Sequence, residues 1–222
     1  MKLWLLALLT TFLSISAVAQ QDYVPRYDAF TGFSYLDSPK MNLAQRGYNE
    51  EFGVNVNRWL ALGADYSFFT GHSSLAPSEL ATSIQAQLAH LTLPPGYVLM
   101  VPFDATTSTY SAGPQINIRK FKPVTIFVRP ALGILHEHVT ARPADPIQTA
   151  VVTALVPGST KSDTTVFYGA SAGFDWNATS HVGIRVAADF VLVNLFDGFL
   201  KEPRNSVRVS IGPTWRWGKN VK

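Results

Sequence analysis

The feature that most constrains this chain is an alternation of period two, repeated eight times, whose polar face is built largely from small residues. Residues 110–119 place Tyr110, Ala112, Pro114, Ile116 and Ile118 opposite Ser111, Gly113, Gln115, Asn117 and Arg119. Residues 182–192 place Val182, Ile184, Val186, Ala188, Phe190 and Leu192 opposite Gly183, Arg185, Ala187 and Asp189. The same pattern runs through 47–57, 62–68, 124–135, 166–176 and 207–217, and more weakly through 27–36. Successive side chains of a strand point to opposite faces, so this pattern reads as eight strands.

The composition of the two faces decides which one meets water. In a soluble sandwich the apolar face is the core and the other is solvated. Here every strand carries Gly on its polar face, and Lys is absent from both faces of all eight. A solvated sheet has no need of small residues and is usually guarded by Lys. A narrow closed barrel explains both features: its interior is tight and suits small residues and paired charges, while its exterior is lipid. At the alternating positions the apolar face is expected to hold no ionisable group other than tyrosine. The expected fold is therefore all-β, an eight-stranded antiparallel up-and-down transmembrane β-barrel. A secreted lipocalin-like carrier would require the reverse, an apolar interior.

Composition removes several other classes. Charged residues make up 15% of the chain, below the ~25% of ordinary soluble domains. There is no Cys, which rules out a disulfide scaffold, a Cys-ligated metal and a Cys nucleophile. The net charge of +3 is scattered, which gives no case for nucleic acid. No cofactor is implied. Residues 1–19 have the layout of a cleavable secretory signal, with Lys2, an apolar stretch and small residues at Ala17 and Ala19. The mature barrel is then expected over 20–222. The apolar stretch falls short of the ~20 residues of a spanning helix, and no later segment supplies them.

The connections alternate too. Tight polar turns at 57–59, 120–123 and 177–180 contrast with longer links at about 37–46, 71–109, 137–164 and 194–205. Short turns on the periplasmic side and long loops outside are the outer-membrane arrangement. Trp59, Tyr66, Phe68, Tyr110, Trp176, Phe190, Trp215 and Trp217 sit near strand ends as candidates for the membrane-interface girdles.

Several short stretches then bear on family: Gly-Phe-Ser-Tyr-Leu at 32–36, Gly-Pro-Gln at 113–115, Gly-Phe-Asp-Trp at 173–176, the Arg185/Asp189 pair, and the alternating run 207–217 that ends on Trp215-Arg216-Trp217. In this order and parity the chain resembles the eight-stranded OmpA/OmpX-like outer-membrane β-barrel family over almost all of 27–218. The resemblance implies residence in the outer membrane of a Gram-negative-type bacterium, contact with outer-membrane lipids, and insertion by the barrel assembly machinery. The last strand resembles the C-terminal signal that this machinery reads, but departs from it in that residues 218–222 follow Trp217.

The expected interior set of charges is Glu51, Asp65, Asp175 and Asp189 against Arg119, Arg129, Arg185, Arg208 and Arg216. Buried charges require partners, and the Arg fork suits carboxylates. Arg185 and Asp189 are expected to meet neighbouring strands rather than each other. A barrel of eight strands is just wide enough to be filled by side chains, so a neutralised plug is expected; a narrow small-solute pore is the rival. Pro114, Pro130 and Pro213 each remove a ladder bond, so bulges or local breaks are expected there.

Outside the barrel, His136-Glu137-His138 would put two imidazoles on one strand face, but no further metal ligand is fixed. Some eight-stranded outer-membrane barrels that modify lipid A use Ser and His at the outer rim; here Ser73 and Ser74 follow His72 in a loop, with no acid placed to orient the histidine, and Ser180 precedes His181 in a periplasmic turn, the wrong end for that chemistry. No catalytic constellation is assigned, and a lipid A deacylase or acyltransferase remains the enzymatic alternative. In the long loops, Pro77-Ser78 can start a short helix carrying Leu80, Ile84, Leu88 and Leu91 on one stripe. The apolar run 150–156 is expected to extend a hairpin above the membrane. A structural or surface-interaction role, with an extracellular partner at the loops, is the functional expectation.

Overall fold

The structure, a computed structural model, describes residues 21–221 apart from 91–92 and 202–203. The expected export signal at 1–19 lies outside the described residues, as does Leu91. Eight strands run β1 Pro25–Ser38, β2 Leu43–Asn55, β3 Leu60–Leu75, β4 Val101–Ile118, β5 Val124–Ala141, β6 Thr160–Asn177, β7 Val182–Val193 and β8 Arg204–Asn220. Each pairs antiparallel with the next, and β8 returns to β1, so the sheet closes into a barrel with no free edge. Inside the closing seam, Ser34 faces Ser210 with their hydroxyls 2.6 Å apart, and Ser38 faces Ser206 at 2.7 Å. Small hydroxyl side chains let the seam close without filling the lumen.

The outer wall is apolar. On β5 it presents Ile126, Val128, Leu132 and Ile134, all exposed, with Leu132 reaching 63%. Trp59, Trp176, Trp215 and Trp217 lie towards the turn end, where Trp217 packs at a tilt against the stacked rings of Tyr27 and Phe52. Tyr66, Phe68, Tyr110 and Phe190 lie further along, and Tyr66 packs 4.9 Å from Tyr110. Beyond that second band the outer face turns polar, at Thr70, Thr106, His136 and Thr164. One ionisable residue breaks the pattern: Glu50, in phase with Phe52 and Val54, is exposed on the outer wall opposite Thr31 and Tyr66.

The strands outrun the alternating stretches. β3 to β6 continue past the second aromatic band, so the links at that end are residues 39–42, 76–100, 142–159 and 194–203. The first is a single 3-10 turn over Pro39–Met41, where the sequence suggested a loop over about 37–46. Beyond that band the outer face is no longer apolar, so the alternation fades while the hydrogen-bonded ladder continues. At the other end, Asn57 closes the β2–β3 turn by accepting bonds from the amides of Trp59 and Leu60 at 2.9 and 2.8 Å.

Pro114, Pro130 and Pro213 produce breaks and no slips. Pro114 and Pro130 fall opposite each other, and the β4–β5 ladder lapses between Ala112–Leu132 and Ile116–Val128 and then resumes in the same register. The β1–β8 ladder lapses likewise beside Pro213, between Phe30–Thr214 and Phe33–Ile211. The run 150–156 does not extend a hairpin. Residues Thr82–Leu88 form helix α1, and Pro146–Leu155 form helix α2. Asp145 caps α2 by accepting the Gln148 amide at 2.8 Å, and Pro146 occupies its first turn. An N-cap Asp followed by Pro is a strong helix start, and it overrides the apolar run behind it.

Candidate functional site

The lumen is the part of the molecule that carries chemistry, and its contents change from one end to the other. The turn-side half is a charge network. Arg185, on β7, donates to both oxygens of Asp175 on β6 at 2.7 and 3.1 Å. The same guanidinium reaches Glu51 at 2.6 Å and Asp28 at 3.4 Å. It also lies over the rings of Phe127 and Phe30, at 4.8 and 5.7 Å. Arg129 bridges Glu51 at 3.4 Å and Asp65 at 3.3 Å. Arg208 joins Asp189 at 2.6 Å and Asp65 at 3.1 Å. Arg216 meets Asp175 at 2.8 Å. Ser111 donates to Asp65 and Ser171 to Asp189, so hydroxyls from β4 and β6 occupy further lone pairs. Arg185 and Asp189 each bond to a neighbouring strand.

Arg119 stands apart. Its guanidinium donates to Asn55 at 2.7 Å and to the Arg58 carbonyl, and makes no ion pair among the described residues. It lines a polar vestibule of about 270 Å³ at the turn end, with Asn55, Asn117, Asn177 and Arg216. The alternation did not single out Asp28, which is buried and pairs with Arg185. Phe30 and Leu36 share its inner face and blur the pattern of the first strand. With Asp28 included, five carboxylates (Asp28, Glu51, Asp65, Asp175, Asp189) face five guanidiniums (Arg119, Arg129, Arg185, Arg208, Arg216), and the half-lumen is neutral. Glycine makes room for these groups: a Cβ at Gly53 would stand 2.7 Å from Asp28, and one at Gly173 would stand 2.7 Å from the Phe127 ring.

Above the network the lumen carries a layer of large apolar side chains interspersed with hydroxyls. Leu36, Phe69, Leu135 and Phe167 are buried there beside Thr109 and Ser206, and the void they leave next to Arg208 is about 20 Å³. That is roughly the space of one water, which needs ~10–15 Å³. A second ion pair follows. Arg204 forks onto both oxygens of Glu137, one at 2.9 Å, and Thr107 donates to the same carboxylate at 2.8 Å. Both residues were expected in loops. Glu137 is in phase with Arg129, and Arg204 with Arg208, so the inner-face parity continues where the outer-face signal stops.

The remaining chemistry-bearing residues are dispersed. His136 and His138 point outward and bond the hydroxyls of Thr164 and Ser162, both at 2.7 Å, while Glu137 between them points inward. Ser73 donates to the carbonyls of Met41 and Asn42 and is not aligned with His72. Ser180 and His181 bond each other at 2.8 Å in an exposed turn, with no carboxylate on the imidazole among the described residues.

The fold is that of the eight-stranded outer-membrane barrels of the OmpA/OmpX-like type. Neisserial surface protein A matches with a TM-score of 0.52 at 12% identity, over 86% of this chain and 96% of that one. The outer membrane protein OprG from Pseudomonas aeruginosa matches with a TM-score of 0.54 at 10% identity, over 90% and 99%. No family model and no curated protein sequence matches the chain.

Proposed function

We propose that the chain is a non-conducting outer-membrane anchor that presents its loop end outside the cell. The observation that carries this reading is the double seal of the lumen, a neutralised charge network below a layer of four large apolar side chains. An ion would have to displace Arg–carboxylate pairs and then cross that layer, with no continuous water to hydrate it. The rigid barrel fixes strand ends in lipid, and the loop-end structure carries whatever recognition the protein performs. Its partners on this reading are outer-membrane lipids around the wall, the assembly machinery during insertion, and an extracellular partner at the loops.

Planar-bilayer recording on the refolded protein tests the seal. The expected result is no resolved single-channel steps, and regular ohmic steps would overturn the reading. The absence of Cys gives a clean test of orientation. In intact cells a membrane-impermeant maleimide should label Thr153→Cys, on exposed α2, and spare Lys120→Cys, at the turn end; the reverse pattern would invert the assignment.

A further inference from the structure

The loop end forms a second, partly open compartment that the anchor role does not use. Above the Glu137–Arg204 pair, the strand ends and both loop helices surround a cavity of about 100 Å³. Its wall includes Met41, Leu75, Leu99, Phe103, Val152 and Phe196. The lid is fastened by backbone bonds between two loops, from the Ala81 amide to the Phe199 carbonyl at 2.8 Å and from the Lys201 amide to the Glu79 carbonyl at 3.0 Å. The loops are thus folded onto the barrel mouth, and the space beneath them is a formed compartment.

We infer that this cavity is a binding site for a small, uncharged, apolar molecule of about benzene or toluene size. Three observations specify the ligand class. First, polar capacity is nearly absent. The Glu137 carboxylate is consumed by Arg204 and Thr107, and the Lys161 ammonium at the rim lies 5.2 Å over the Phe199 ring. The wall is otherwise almost wholly aliphatic and aromatic; the one buried polar atom without a partner at the floor is Arg204 Nε, behind the fork that holds Glu137. Second, the volume is selective. Drug-sized ligands need roughly 300–1,000 Å³, whereas an apolar cavity of ~150 Å³ stays dry and takes benzene. Third, an entrance is built in. Leu88, Val151 and Leu155 line both the cavity and a groove between α1 and α2. Rotation of these aliphatic side chains joins the two. An empty void forfeits dispersion contacts that an apolar guest restores. Because the floor is the ion pair above the sealed lumen, the site is a terminal pocket and not the mouth of a channel.

The test is methyl NMR of the refolded protein in phospholipid nanodiscs, titrated with toluene. Methyl groups of Leu99, Val139 and Val152 should shift together and saturate. Those of lipid-facing Leu62, Val128 and Ile184 should drift in proportion to the toluene dissolved in the bilayer. Leu99→Trp fills the cavity and should raise the half-saturation concentration at least roughly tenfold. A boiled-against-unboiled gel shift confirms that this variant is folded, and Val152→Phe replaces it if it is not. Phenylacetate, matched in size but charged, should give no saturating shift. Cavity methyls that do not shift, saturation unchanged in the folded filling variant, or phenylacetate binding as tightly as toluene would each overturn the inference.

Discussion

The two halves of the lumen solve the same packing problem with opposite chemistry. On the turn side the eight strands leave a narrow core that is filled by Arg and carboxylate side chains, and single residues hold several partners: Arg185 alone touches Asp175, Glu51 and Asp28. On the loop side Leu135, Phe167, Val193 and Phe196 form a conventional apolar cluster with the loop 194–200 packed on it. The first half is tied across the barrel by directed bonds between strands far apart in sequence. The second is held by burial, which is additive and local. The turn side should therefore fail abruptly when one group is removed, and the loop side should loosen by degrees.

The sharpest way to break that contrast is Arg185→Leu. It removes the ion pair that Asp28 makes among the described residues, and leaves Asp175 to Arg216 and Glu51 to Arg129. Removing one partner of a buried ionic network costs about 3–5 kcal/mol, read as a lower urea midpoint for unfolding from vesicles. Adding Asp28→Asn restores neutrality and should recover part of the loss. If the single variant unfolds at the wild-type midpoint, the network is only filler. A smaller effect is expected from Arg204→Leu, because Glu137 keeps its bond from Thr107 and sits near the mouth; an unsatisfied buried group there costs about 1–3 kcal/mol. Smaller still is Val152→Ala on the cavity wall, which removes two carbon groups and costs about 1.5 kcal/mol at ~0.8 kcal/mol each. It should appear as faster hydrogen exchange in α2 with the urea midpoint of the barrel unchanged.

The same contrast explains what could be read from the chain. The turn side was legible because an apolar wall on one face and a tight lumen on the other force strict alternation, so parity put Asp65, Arg129, Arg185 and Arg208 on one face and the small residues of that face placed it inward. Legibility failed where either constraint relaxed. Beyond the second aromatic band the outer wall is wet, His136 and Thr164 replace apolar residues, and the strands read as loops although Glu137 and Arg204 continue the inner parity. On β1, inward Phe30 and Leu36 hid Asp28. Glu50 reads as an interior residue by charge and as an exterior one by phase, and phase governs its placement. The apolar cavity had no signature as a whole, because its wall is assembled from six separate segments. Only parts of it were written locally: the stripe that includes Leu80 and Leu88, and the Asp145-Pro146 helix start.

That helix start supplies the finest of the comparisons, between the two loop helices. α1 begins at Ala81, whose side chain offers no cap, whereas α2 begins at Asp145. The Tyr97 hydroxyl donates to the Asp145 carboxylate at 2.6 Å, and the Gln148 amide donates to it as well. Both bonds favour the ionised form, the tyrosine first, and hold the Asp145 carboxyl below its ordinary value of 3.8. The same bond raises the Tyr97 phenol above its ordinary value of 10.0. A depressed acid stabilises the fold above its unfolded pKa and loses that contribution as pH falls through the folded value; a raised phenol stabilises below its unfolded pKa and loses it as pH climbs through the folded value. The start of α2 should therefore be firmest between these limits, and amide exchange at Gln148 and Thr149 should quicken below about pH 4. Exchange in α1 over the same window should not change on this account, since no carboxylate caps it. Tyr97→Phe should move the Asp145 titration upward by carboxyl NMR and begin the acid loosening of α2 at higher pH. An unmoved titration would place the cap on the backbone amides alone.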